Sequence, residues 1–233
     1  MQWRKFSAAA VLIAAAIGLS GCFDLDQSVA INRDGSGQYR LSLAARGMMG
    51  EAMKNGKSDI HLGQNAGART RTVIEGDKVT KVSTVDFKQL SDLALSNETI
   101  AVAVRGHELF GLGTTHAVFR RVFSVDDAKR QNMHDDDSGA GKAVIASLFG
   151  DHSYVFAVRL PGSIDWIAPV WVGDAQVKPE VSGDDVAGHT ITWRMPLTDL
   201  IETRALHFSV GFSAYGALKD SQSRRVSDSD TKI

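Results

Sequence analysis

One side chain in this 233-residue sequence combines nucleophilic chemistry with a recognisable motif around it: Cys22, the only cysteine. It closes the run Leu19-Ser20-Gly21-Cys22, downstream of Arg4, Lys5 and an unbroken small-apolar stretch from Ala8 to Leu19. A basic head, an apolar middle and small residues before a cut make a secretory signal peptide. The apolar stretch is too short to span a bilayer as a helix, which takes about 20 residues. The Leu-Ser-Gly-Cys ending has the form of a bacterial lipobox, where the chain is cut before the cysteine and the thiol takes up a diacylglyceryl group. The other reading is an unmodified cysteine behind an ordinary signal or a short membrane helix. On the lipobox reading residues 1–21 are removed and Cys22 is the lipidation site. Acyl chains of palmitate type then hold the remainder on a membrane of the cell envelope. Each buried methylene contributes about 0.8 kcal/mol, so two or three chains anchor stably where one does not. Phe23, not Asp, follows the cysteine, which leans toward the outer membrane over the outer leaflet of the cytoplasmic membrane.

The other reactive side chains form no set. The seven histidines include no pair at a helical metal spacing and no His-Glu-x-x-His. His134-Asp135-Asp136-Asp137 offers hard-cation ligands but lacks the calcium-loop pattern, so it reads as a solvated loop. Gly139-Ala140-Gly141-Lys142 fails as a phosphate loop, with Asp136 where Gly is needed and Ala143 where Ser or Thr is needed. Gly-x-Ser-x-Gly is absent. No catalytic residue, metal or cofactor is expected, and the chain reads as non-enzymatic. Losing residues 1–21 removes two of the 26 basic residues and none of the 27 acidic ones, moving the formal charge from −1 to −3. That balance gives no basic excess to hold nucleic acid.

Two further features bear on binding. Trp166-Ile167-Ala168-Pro169-Val170-Trp171, between Pro161-Gly162 and Gly173, reads as a loop. Tryptophan favours a membrane interface because its ring is apolar while its N–H wants a polar partner. Trp166, Ile167 and Trp171 are therefore candidate membrane or lipid contacts, the alternative being that both tryptophans cover the core. Met48, Met49 and Met53 form an adaptable apolar face, suited to a lipid groove or to core packing. Arg120 and Arg121 point to opposite faces of one strand. Whichever faces inward needs a carboxylate or a phosphate, the latter hinting at a head-group site.

The elements that position these residues are mostly strands. Leu25, Gln27, Val29 and Ile31 alternate with polar residues up to Asn32-Arg33-Asp34-Gly35-Ser36-Gly37, and Tyr39, Leu41, Leu43 and Ala45 alternate after it, a hairpin signal. Residues 70–75 and 78–87 form a second hairpin about Gly76-Asp77. Further strands are expected at 100–104, 114–125, 154–160, 191–195 and 206–212. Helical spacing appears at Met48–Met53, Leu90–Ala94 and Val144–Phe149. Residues 126–141 read as an exposed loop. The fold class expected is α+β: a mainly antiparallel β-sheet of about eight or nine strands with about three short helices on one face. Residues 22–216 read as a single domain and 217–233 as a disordered polar tail.

Four stretches together resemble the LppM-like lipoprotein domain family. They are the lipobox running into Asp24-Leu25-Asp26-Gln27-Ser28-Val29; Asp34-Gly35-Ser36-Gly37; Val158-Arg159-Leu160-Pro161-Gly162; and Thr190-Ile191-Thr192-Trp193. The resemblance spans most of residues 22–213 and rests on structural motifs. It implies an α+β envelope domain associated with polar-lipid binding, with no catalytic motif to carry over. Relatives often add a C-terminal membrane helix, which this sequence lacks, and the Trp166–Trp171 segment is bulkier than the pattern. The expected function is a membrane-anchored, non-enzymatic lipoprotein that binds a lipid or other apolar ligand at the bilayer surface. The alternative is a structural or assembly lipoprotein docking another envelope protein.

Overall fold

The computed structural model describes residues 23–55, 67–96, 98–108, 113–124, 152–203, 205–216 and 218–226. Cys22, the signal at 1–21, the loop expected at 126–141 and the helix expected at 144–149 lie outside the described residues.

Strands β1 (Phe23–Ile31) and β2 (Gly37–Ala45) form the hairpin that their alternation requires, paired from Phe23 opposite Ala45 to Ile31 opposite Gly37. The turn is pinned by Asp34, whose carboxylate accepts from the Ser36 amide at 3.0 Å and hydroxyl at 2.6 Å. Helix α1 (Gly47–Lys54) follows, then the hairpin of β3 (Arg69–Glu75) and β4 (Lys78–Phe87). A 3-10 turn at Leu90–Asp92, where the sequence suggests a helix, leads to β5 (Ala94–Ser96), β6 (Glu98–His107) and β7 (Thr114–Ser124). The chain continues through β8 (Ser153–Leu160), β9 (Ser163–Ile167), β10 (Val170–Val172), β11 (Ala175–Val177), β12 (Glu180–Asp184) and β13 (Gly188–Pro196). It ends with helix α2 (Leu197–Glu202), β14 (Ala205–Tyr215), β15 (Ser221–Gln222) and β16 (Arg224–Val226).

These elements overturn the expected α+β plan. The described residues form 16 strands in sheets of seven, five, two and two, with two short α-helices. The large sheet runs β12-β13-β8-β1-β2-β4-β3, and β15-β6-β7-β14-β9 forms a second sheet that takes the place of the expected helical layer. Alternation reports which side of a strand is apolar; it is silent on which sheet the strand joins. Identical hairpin signals therefore serve both layers. The two inner faces meet in one core containing Val29, Phe87, Val158 and Ile191 from the large sheet and Ile100, Phe119, Val210 and Phe212 from the other. At its centre Phe156 lies 4.7 Å from Phe208 and 5.7 Å from Trp193, ring centre to ring centre. Within the tail expected to be disordered, the described residues 218–226 are ordered. Ser221 and Gln222 pair with Val102 and Ala101, Arg224–Val226 pairs in parallel with Ala94–Ser96, and Leu218 is buried.

Within this apolar layer sits a closed polar cluster. Arg121 of β7 is the inward-facing member of the Arg pair and is fully buried. Its Nε donates to Glu98 Oε2 at 2.6 Å, its Nη1 to the Tyr154 hydroxyl at 2.6 Å, and its Nη2 to Gln27 Oε1. Glu98 Oε1 also accepts from the Tyr39 hydroxyl at 2.5 Å and from Gln27 Nε2 at 2.7 Å. The Tyr154 hydroxyl donates onward to Gln27 Oε1 at 2.6 Å, and Gln27 Nε2 also meets the Tyr39 oxygen. The guanidinium carbon lies 4.1 Å from the centre of the Phe156 ring, a cation–π contact in a dry setting. Arg121 and Glu98 belong to the five-stranded sheet; Gln27, Tyr39 and Tyr154 belong to the seven-stranded one. The cluster is therefore a polar clamp between the two sheets. Burial pushes the Tyr154 hydroxyl up to about 12 and Tyr39 well above its ordinary range, so both stay protonated as donors. Burial alone would lower the Arg121 pKa, but the Glu98 charge and hydrogen bond together with Tyr154 and Tyr39 more than offset it, and the guanidinium stays ionised.

Breaking a buried ion pair by removing one partner costs about 3–5 kcal/mol, whereas removing both with apolar groups costs far less. Glu98→Gln and Arg121→Met should each lower the unfolding free energy by that amount in urea titrations. The double variant Arg121→Met/Glu98→Leu should recover most of the loss. Additive losses in the double variant would refute the pairing.

Candidate functional site

Trp166 and Ile167 fall on β9, the edge strand of the five-stranded sheet, and Trp171 on β10 of the two-stranded hairpin that follows, so the segment expected as a loop is two short strands. Strand β9 pairs with β14 through a bulge: Ile164 lies opposite Phe212 and Trp166 opposite Gly211, leaving Asp165 as the extra residue. A one-residue insertion shifts the alternation beyond it. Ile164 and Ile167 consequently both pack against the core, while Asp165 and Trp166 both face outward. Ile167, grouped by sequence with the two tryptophans, is thus half-buried packing.

Trp166 lies flat across the one position of β14 that can receive it. A Cβ built on Gly211 would sit 2.2 Å from the indole nitrogen and 2.4 Å from its ring carbon Cε2, so only glycine leaves room for the ring. The remainder of the indole is open, with Trp166 47% exposed. Trp171 stands at the middle of β10, whose flanking Val170 and Val172 are buried in the core. β10 and β11 form a hairpin about Gly173-Asp174, with Gly173 at φ 58° as such a tight turn requires. That hairpin presses its valines inward and turns Trp171 out, 54% exposed. Both tryptophans are therefore outward-facing, and the tryptophan that fills the core is Trp193. The methionine face divides: Met53 is buried, while Met48 and Met49 are exposed.

Beside Trp166 lies a polar group that no sequence spacing singles out. The Ser213 hydroxyl is 2.7 and 2.8 Å from the two Asp165 oxygens and 2.8 Å from His116 Nδ1; His116 Nε2 is 3.5 Å from Glu108. The hydroxyl has one proton, and the carboxylate at this range must receive it, so the imidazole donates to Ser213. Nucleophilic catalysis needs the reverse order, with histidine between serine and carboxylate taking the proton. The cluster braces the bulge. Among the described residues no group of three or more His, Cys, Asp or Glu is arranged to hold a metal ion. No described helix is long and apolar enough to cross a membrane.

No protein-family model matches the chain, and no curated protein does. Among solved structures, the chain is similar to the NMR structure of the folded domain of Mycobacterium tuberculosis LppM. The two are 11% identical, with a TM-score of 0.41 over 84% of this chain and 91% of that one. At that distance the likeness assigns no residue a role.

The Gly211 seat can be tested by filling it. In Gly211→Val the new side chain must displace the Trp166 ring into water, shifting tryptophan emission to the red. Unfolding free energy should change by only about 1 kcal/mol, because valine favours strands and offsets part of the lost contact. Unchanged emission would show that the ring does not depend on this seat.

Proposed function

We propose that this protein is a non-enzymatic lipoprotein of the cell envelope, anchored through acylated Cys22, that binds lipid at the bilayer surface through its exposed tryptophan edge. The observation that carries the reading is the position of β1. β1 starts at Phe23, the residue after Cys22, already paired with Ala45. One extended residue spans about 3.3 Å, so an acylated cysteine would leave no tether between bilayer and domain. β1 is also the central strand of the seven-stranded sheet. The anchor would therefore pull on the middle of the fold, where pairing on both sides resists fraying.

The outward Trp166 and Trp171 are side chains of the type that partition into the interface between head groups and acyl chains. The interior favours surface contact over an enclosed ligand. Packed aromatic rings fill its centre, and each nitrogen of the Arg121 guanidinium already donates to an acceptor within the protein.

Mass spectrometry of the chain purified from its own envelope should find an N-terminus at Cys22 carrying a diacylglyceryl group. A different N-terminus, or an unmodified thiol, would overturn the anchor. With Cys22→Ser as background, the Trp166→Ser/Trp171→Ser pair should weaken vesicle association about tenfold, some 1.4 kcal/mol, while retaining the folded circular-dichroism spectrum. Unchanged association would remove the tryptophans from the lipid contact.

A further inference from the structure

The outer face of the seven-stranded sheet carries a groove of about 610 Å³ at the end of β1 remote from Phe23. Its size falls within the range of small-molecule sites. Its form follows from the register. One outward row crosses five strands as Thr190, Arg159, Ala30, Gln38 and Asp86. In the next row Ala157 and Ser28 lie side by side, followed by Arg40. Alanine and serine at the centre leave a low floor, and the longer side chains on the neighbouring strands stand as its walls.

The charges across the groove are unequally satisfied. The Asp86 carboxylate is engaged twice, by Gln38 Nε2 at 2.8 Å and by Arg69 Nη2. Asp34, in the turn at that end, is engaged by the Ser36 amide and hydroxyl, which hold its carboxyl below its ordinary range. The Arg159 side chain, in contrast, makes no hydrogen bond or ion pair with a described residue. It borders both this groove and an adjoining hollow of about 180 Å³ next to Pro161 and Val186. These two rows bring Arg159 and the already paired Asp86 to the groove, while Arg40, one row along, lies near the Asp26 carboxylate. Floor and wall contribute neutral hydrogen-bonding groups, the Ser28 and Thr190 hydroxyls among them.

We infer that this groove is a second binding site, separate from the tryptophan edge, for an oxyanion carried on a hydroxyl-rich body, with the Arg159 guanidinium taking the phosphate or carboxylate. A planar guanidinium with free donors pairs two oxygens at once, which gives orientation as well as attraction. Ser28 and Ala30 lie five to seven strand residues beyond Phe23, or about 17–24 Å along β1. The ligand can be a water-borne solute or a lipid head group, since both present the same phosphate chemistry. The inference does not rest on the membrane reading, because it concerns a different face and holds in detergent.

The test uses the full lipidated chain in a non-ionic detergent, titrated calorimetrically with glycerol 3-phosphate and, in a second arm, with vesicles of phosphatidylglycerol or of phosphatidylcholine. Expected is saturable binding that falls tenfold or more in Arg159→Gln and, independently, in Ala157→Phe, which fills the floor while leaving the guanidinium. Both positions face outward, so the fold should persist by circular dichroism. Binding of glycerol 3-phosphate identifies a water-borne source; a response to phosphatidylglycerol vesicles alone identifies a head group. No binding in either arm, or binding that survives both substitutions, overturns the site.

Discussion

Arg121 carries its charge in the middle of a two-sheet core, where an ion without partners costs several kcal/mol. Much of the architecture follows from meeting that cost. The carboxylate comes from Glu98 on the adjacent strand, and the remaining acceptors come from the opposite sheet, where Gln27 lies between Tyr39 and Tyr154. Those three side chains reach the guanidinium only if β1, β2 and β8 hold their registers and the sheets keep one relative placement. A shift of one residue in β1 would turn Gln27 outward and bring an apolar wall against the charge. The cluster thus specifies one packing among the many that two apolar sheet faces would tolerate.

Parts of this were legible in the sequence. The β1–β2 and β3–β4 hairpins follow from strict alternation around Asp-Gly and Gly-Asp turns. The adjacency of Arg120 and Arg121 in one strand allows at most one to face the core, and that one needs a partner. Gln27, in register with Leu25, Val29 and Ile31, and Glu98, in register with Ile100 and Val102, are the matching signs: polar residues at inward positions. What alternation cannot say is that these positions meet, because Gln27 and Arg121 are 94 residues apart and lie in different sheets. For the same reason the second sheet was illegible and helices stood in for it. The short strands β9, β10 and β11 escaped because Pro169 and the bulge at Asp165 break the period-2 pattern.

A core filled by packed rings and closed around a buried ion pair leaves the outer surfaces to bind. Two of them differ in chemistry. The β9–β10 edge offers bare indole faces, held outward by a glycine seat and by the inward pull of Val170 and Val172. The β1–β8 face offers a polar trough bordered by a guanidinium that has no partner among the described residues. The aromatic edge suits the interfacial zone of a bilayer, and the trough suits a hydrated anion. A domain tied at the first residue of its central strand would keep both within a few nanometres of its membrane.

The central claim is that the Arg121 cluster is closed, serving the fold and no ligand. The Arg121 Nε–H proton reports on this directly through hydrogen exchange followed by NMR on the full chain in detergent micelles. Expected is exchange as slow as that of the best-protected backbone amides in β1 and β7, with a chemical shift that does not move when phospholipid is added. Exchange within minutes, or a shift that tracks lipid concentration, would contradict it and make the core itself the binding site.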